Sequence, residues 1–296
     1  METIAFIGLG IMGVPMCVNL LKGGYRVYAN TRSHVNEAVI TAGAIVCDSP
    51  RAAAEAADII ILIVNDTPHV EEVLFGANGV SQVNLGGKLV IDMSTISPVA
   101  TQEVAKKIKS MGADYLDAPV SGGDVGAQAG SLSIMVGGSE TAFQRALPIF
   151  QLLGKNINRV GESGAGQITK MANQVIVGLT LQAVAEGLVL ASKAGADPEK
   201  VRQALMGGFA NSRILEVHGQ RMTSGQFTPG FKVNLHQKDI TSALNTAKEL
   251  GVALPSTALF QQLLSSCVAH GGSNWDHSAI VKVLESMANH KLCPND

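Results

Sequence analysis

The feature that most constrains this chain is Gly8-Leu9-Gly10-Ile11-Met12-Gly13, a G-x-G-x-x-G run between a β-rich stretch (residues 3–8) and an amphipathic one (residues 11–22). A strand that enters a helix through a tight turn gives each glycine its own task. The first permits the turn, the second lets the backbone approach a pyrophosphate, and the third lets helix pack on strand. The positive helix N-terminus then faces the phosphate charge. Alone such a run is weak, because a turn that only needs glycines has the same spelling. Here it opens a longer alternation. Strand-like segments at 26–31, 59–64, 88–92, 113–117 and 131–137 interleave with helix-like ones at 35–42, 51–57 and 98–111. That order predicts an α/β fold with a doubly wound, parallel Rossmann-type sheet.

After about Gly161 strand signals cease. A nearly unbroken apolar segment over 166–194 predicts one long helix starting near Gly164, and helices follow at 198–206, 235–250, 256–270 and 277–289. Gly or Pro marks each break (Gly195, Gly207-Gly208, Pro229-Gly230, Gly271-Gly272). The expected division is a dinucleotide-binding domain over 1–163 and an all-helical substrate and dimerisation domain over 164–296.

Composition narrows the partners. A net charge of -2 gives no basic field for a phosphate backbone, which argues against nucleic acid. Hydrophobic residues are 46% of the chain, enough for large cores. The longest uninterrupted apolar run, residues 59–64, is strand-sized, so no membrane partner is expected. The opening residues carry neither a basic segment nor a small-residue cleavage site and read as a first strand. Cys17, Cys47, Cys267 and Cys293 lie far apart, as reduced thiols of a cytoplasmic protein would. The seven histidines lack metal-ligand spacing, and no metal site is expected.

Several side chains carry candidate chemistry. At the end of the second strand an acidic residue would hydrogen-bond a ribose 2′-hydroxyl, and the position falls near Thr31. Asn30-Thr31-Arg32-Ser33 holds no carboxylate, and Arg32 with two hydroxyls suits a 2′-phosphate, which favours NADPH over NADH. Arg32 as a solvated loop residue is the plainer alternative. Ser121-Gly122-Gly123 ends a strand and offers a hydroxyl and exposed backbone N–H groups to a carboxylate, or else is an ordinary turn. Lys170, Asn173 and Gln174 stand at i, i+3 and i+4 in the long apolar helix, so one face carries all three. Burial there would lower the lysine pKa toward working pH and suit it to give a proton to a developing alkoxide; a solvated lysine near a helix start is the alternative. Ser97-Pro98 reads as a helix N-cap followed by proline at the first helical position. Asp276 reads as the cap of the last helix, and Lys238-Asp239 as a surface pair.

Four segments taken together resemble the β-hydroxyacid dehydrogenase family. They are the glycine fingerprint, Asp117-Ala118-Pro119-Val120-Ser121-Gly122-Gly123, the stretch from Gly164-Ala165-Gly166-Gln167 through Lys170 to Asn173-Gln174, and the stretch from Phe231 to Lys238-Asp239. The match runs in order over essentially the whole chain. The resemblance implies an NAD- or NADP-dependent enzyme in which Lys170 is the acid–base group and Asn173 orients the substrate. Ser121, Gly122 and Gly123 would hold its carboxylate. Gly8, Leu9, Gly10, Ile11, Met12, Gly13, Thr31, Arg32, Val64, Asn65, Thr95 and Lys238 would line the cofactor, with Thr95 at its nicotinamide end. Arg202 to Phe209 and Ser212 to Leu215 narrow the implied reaction to reduction of tartronate semialdehyde to D-glycerate. Oxidation of 3-hydroxyisobutyrate is the alternative, and a non-catalytic dinucleotide sensor the alternative of another class. The family also forms homodimers and homotetramers. One departure stands out: Val64 is followed by Asn65, where the family often has proline.

Overall fold

In the computed structural model, which describes residues 2–293, alternate residues of the apolar strands face opposite layers. Ile4, Phe6, Ile59, Ile61, Leu89 and Ile91 enter one core, while Ala5, Ile7, Ile60, Leu62, Val90 and Tyr115 enter the other. A sheet buried on both faces needs continuous apolar runs, which is why Ile59–Leu62 reads Ile-Ile-Ile-Leu. Each such side chain, taken fully out of water, contributes about 1.5–3 kcal/mol.

The elements run β1 (Ile4–Ile7), α1 (Gly13–Lys22), β2 (Val27–Asn30), α2 (Glu37–Thr41), β3 (Ile45–Val46), α3 (Pro50–Glu55), β4 (Ile59–Leu62), α4 (Thr67–Phe75), β5 (Leu89–Asp92) and α5 (Pro98–Ser110). They continue as β6 (Asp114–Asp117), β7 (Val120–Ser121), α6 (Gly123–Gln128), β8 (Leu132–Gly137), α7 (Glu140–Leu153) and β9 (Gly154–Gly161). The strand order is β3-β2-β1-β4-β5-β6-β8-β7, with β9 beside β8. The chain winds outward from β1 through β2 to β3, then returns to place β4 on the other side of β1. This is the doubly wound, Rossmann-type sheet. Its switch point lies between β1 and β4, where ligands bind such sheets.

The sheet is mixed rather than wholly parallel. β8 runs antiparallel to β6 and β7, because Ser121-Gly122-Gly123 turns the chain back within one short element. β3, β7 and the helices α4, α6 and α7 lie outside the segments expected from periodicity. Strand β9 does too, for its polar residues are mostly exposed and carry no strand period.

The second part is helical: α8 (Ala165–Lys193), α9 (Pro198–Leu205), α10 (Arg213–Ser224), α11 (Val233–Glu249), α12 (Pro255–Ala269) and α13 (Val281–Ala288). α10 lies outside the expected helical segments, with Leu215, Gly219 and Met222 as its buried residues. The last expected helix begins with a 3-10 turn, His277–Ile280. α8 corrects the membrane argument drawn from uninterrupted runs: it is long and apolar enough to span a bilayer by length and composition. The run-length criterion missed it because Lys170 and several amides interrupt its apolar residues. The chain divides into two compact units, Met1–Lys170 and Met171–Asp296, so the division falls inside α8. The ties that hold the first turns of α8 to the sheet account for that position.

The helical unit has its own core, with Leu181, Leu188, Ile240, Phe260, Leu264 and Ile280 fully buried. It also has a buried polar knot around Asp276. The Asp276 carboxylate accepts from the N–H groups of Gly230, Phe231 and Ser278 and from the Ser278 hydroxyl. It pairs with Arg221 at 2.7 Å. Three histidines extend the knot: His218 Nδ1 lies 3.6 Å from Asp276, His277 Nε2 lies 3.2 Å from His218 Nε2, and His277 Nδ1 lies 3.0 Å from His236 Nδ1. One set of tautomers, each ring donating toward Asp276, accounts for both ring-to-ring contacts. His218, Asp276 and His277 thus bring ligand atoms within 4.8 Å of one another, a grouping their sequence separation concealed. The bonds already on Asp276 and the Arg221 cation leave it a structural acceptor.

Candidate active site

At the end of β1 the three glycines differ as the motif requires. Gly8 adopts φ +103°, and a Cβ there would lie 2.1 Å from the Ile63 carbonyl oxygen. A Cβ on Gly13 would lie 1.9 Å from the Gly8 oxygen, so α1 packs directly on the turn. Gly10 is exposed and a Cβ on it would meet nothing within 4 Å. That open surface, fringed by Leu9, Ile11 and Met12, fits a pyrophosphate lying against bare backbone.

Helix caps mark the same place. In the sheet-bearing unit α2, α3, α4, α5 and α7 begin with Asn36, Ser49, Asp66, Ser97 and Ser139, each accepting a backbone N–H of its own first turn. α1 and α6 begin at Met12 and Gly122 with no side-chain cap. These are the two helices preceded by the glycine fingerprint and by Ser121. An uncapped N-terminus keeps N–H groups for an external anion. Gly122 has φ +137° and both Gly122 and Gly123 are exposed, with Ser121 half-buried.

Thr31 directly follows β2, half-buried, with its hydroxyl 3.4 Å from that of Ser33; Arg32 is exposed. Val64 follows β4 half-buried, its N–H held by the Ser94 hydroxyl at 2.9 Å, and Asn65 is exposed. Thr95 follows β5 half-buried between Ser94 and Ile96. Ser97 caps α5 through the Ala100 N–H, as its Ser-Pro spelling predicted.

Beneath this edge lies a buried polar network. Burial pushes the fully buried Asp92 carboxyl up to about 7, against hydrogen bonds from the Ser94 N–H and Tyr115 hydroxyl. Asp117 is raised too, by burial, although it accepts from the N–H groups of Gly164 and Gln167. It thereby caps α8. Gly166 lets the helix seat closely, since a Cβ there would come within 2.4 Å of the Met135 oxygen. Gln167 is fully buried, and Lys170, one turn further on, is only 7% exposed. Lys170 is therefore not the solvated lysine of the plainer alternative.

On the other unit, Asn173 donates to the Gln174 amide oxygen at 2.8 Å, and Gln174 donates to Asp239 at 2.7 Å. Asp239 lies 3.2 Å from the Lys238 ammonium. Asp239 is buried, which corrects the reading of Lys238-Asp239 as a surface pair. A partner 65 residues away in sequence left no local signal for it. Asp117 and Gln167 were likewise missed as site-builders, although both lay inside the segments that carried the resemblance. Asp276 does cap the turn before α13, by way of the Ser278 N–H.

Comparison with known proteins bears on the fold, the cofactor class and the family. Residues 3–161 match the NAD binding domain of 6-phosphogluconate dehydrogenase, and residues 164–284 the NAD-binding domain of NADP-dependent 3-hydroxyisobutyrate dehydrogenase. The 2-hydroxy-3-oxopropionate reductase of Escherichia coli (strain K12) is 56% identical over 98% of this chain and 99% of its own. The crystal structure of 3-hydroxyisobutyrate dehydrogenase from Salmonella typhimurium is 30% identical, with a TM-score of 0.87 over 96% of this chain and 100% of that one. Psf3 in complex with NADP+ and 2-OPP is 25% identical, with a TM-score of 0.87 over 95% and 100% of the two chains. Fold and fingerprint define an NAD(P)-dependent oxidoreductase. More narrowly, the chain belongs to the β-hydroxyacid dehydrogenase family.

Proposed function

We propose that this enzyme reduces tartronate semialdehyde (2-hydroxy-3-oxopropanoate) to D-glycerate, with Lys170 as its general acid. The observation that carries the reading is a lysine 7% exposed in an apolar helix whose start is built onto the sheet edge by Asp117 and Gln167. The nicotinamide, when bound, supplies the hydride. Gly8 to Gly13 take the pyrophosphate, with Thr31, Arg32, Val64, Asn65, Thr95 and Lys238 as further cofactor contacts. Ser121, Gly122 and Gly123 hold the substrate carboxylate at the uncapped start of α6, and Asn173 orients the substrate. Lys170 gives its proton to the aldehyde oxygen as negative charge develops there. Arg32 and the absence of a carboxylate at Thr31 favour NADPH.

Residues 1–163 act as the dinucleotide-binding domain and 164–296 as the substrate and dimerisation domain. The chain works as a cytoplasmic homodimer or homotetramer, with neither nucleic acid nor membrane as partner. An apolar groove of Val189, Leu190, Leu284, Met287 and Ala288 supports self-association, since Leu190 and Met287 are each 73% exposed.

Lys170→Ala should lower turnover about 10²- to 10⁴-fold while leaving dinucleotide affinity unchanged. Retained turnover in that variant would defeat the acid role. Steady-state rates with tartronate semialdehyde and 3-hydroxyisobutyrate, each with both nicotinamide cofactors, test the substrate and the NADPH preference.

A further inference from the structure

Gln167 carries three hydrogen bonds to residues far from it in sequence. Its amide oxygen accepts from the Ile96 N–H at 3.2 Å, and its amide nitrogen donates to the Ser94 carbonyl at 2.8 Å. Its backbone N–H donates to Asp117 at 3.0 Å. Ser94 and Ile96 are the two neighbours of Thr95. One buried amide therefore grips the peptide groups on both sides of Thr95, from a helix residue three positions before Lys170.

We infer that Gln167 is a positioning residue that fixes the spacing between Thr95, at the nicotinamide end of the cofactor, and the Lys170 ammonium. The inference rests on the roles proposed for those two residues. Its chemistry is specific. The grip needs one acceptor and one donor on a planar group, which among side chains of this length only a primary amide supplies at every pH. The surroundings give no slack. Gln167 is 0% exposed, Ser94 is held in turn by Asp92 and by the Val64 N–H, and Asp117 fixes the helix start. Any slip of α8 against the loop after β5 thus breaks bonds at both ends. A misplacement on the order of 1 Å between reacting groups costs about 10²-fold in rate, and the loss falls on kcat more than on KM.

Two substitutions separate positioning from bulk stability. Gln167→Met keeps the length and removes both bonds, and should lower kcat about 10- to 100-fold with KM for either ligand within about threefold. Gln167→Glu keeps the shape but, when ionised, sets an oxygen against the Ser94 carbonyl; when protonated it donates there again. The ratio of its kcat to that of the parent enzyme should therefore rise as pH falls, through an ionisation the Gln167→Met ratio lacks. The inference is overturned if Gln167→Met turns over within about twofold of the parent, if the Gln167→Glu ratio is flat with pH, or if both variants fail to fold at every pH. Lys170→Ala, assayed in parallel, distinguishes the two levels. Turnover surviving that change defeats the proton-donor reading, whereas turnover surviving only the Gln167 changes defeats the positioning inference alone.

Discussion

A buried polar network lies at the sheet edge of one unit and another around Asp276 in the helical unit, and the two are built to different ends. In the sheet-bearing unit Asp92, Ser94, Asp117 and Gln167 join the carboxyl ends of β5 and β6 to the start of α8. Their bonds lead directly to Thr95 and toward Lys170. In the helical unit Asp276, Arg221 and the three histidines close on one another and on the backbone of residues 230–231 and 278. Both networks sit in an apolar setting that makes an unmet partner costly. The first ties the residues flanking Thr95 to the start of α8, the second the segment before α11 to the turn before α13.

The electrostatic signs are opposite as well. Burial raises Asp92 to about 7 and raises Asp117. Burial, with His236 and His218 beside it, lowers His277 well below 6.5. Burial opposes ionisation of Asp276, but the His218 ring beside it and the hydrogen bonds from the Ser278 hydroxyl and N–H hold its carboxyl below the usual carboxylate range.

Asp276→Ala probes the difference most strongly. It strands the Arg221 cation and the Gly230 and Phe231 N–H groups, and should cost about 3–5 kcal/mol by denaturant melts, with dinucleotide affinity of the folded protein unchanged. A loss below about 1 kcal/mol would show that the helical knot is ornamental. Asp117→Asn comes next. It places an amide donor against one of the two N–H groups at the start of α8 that the carboxylate caps, and should cost about 1–3 kcal/mol. Unlike Asp276→Ala it should also depress kcat, which would erase the proposed contrast if it did not occur.

Acidification has the smallest effect and the clearest sign. Below pH 6.5 the unfolded chain takes up a proton that folded His277 refuses, so the helical unit loses stability as pH falls. Between about 7 and 3.8 folded Asp92 takes up a proton that the unfolded chain refuses, so the sheet-bearing unit gains. Hydrogen exchange at pH 5 and pH 7, corrected for intrinsic rates, should show helical-unit amides losing protection on the order of tenfold relative to those of the sheet. Parallel changes in both units would contradict the opposed signs.

Much of this molecule was written locally. The glycine spacing fixed the first turn because φ +103° at Gly8 and the contact of Gly13 with the Gly8 oxygen are conditions on single residues. The all-apolar run in β4 required burial on both faces, and Ser97-Pro98 spelled its own cap. Lys170, Asn173 and Gln174 share a helix face by spacing alone. The antiparallel return of β8 and the polar edge strand β9 escaped, since neither has a periodic signal.

Long-range pairing was beyond the sequence. Nothing near Gln167 announces Ser94 and Ile96, nothing near Asp239 announces Gln174, and the three histidines lie in three separate elements. Dihedral preference and hydrophobic period act over a few residues, so they are legible in the string of letters. A buried polar group instead takes whatever partner the folded chain sets beside it, and only the tertiary structure decides which one that is.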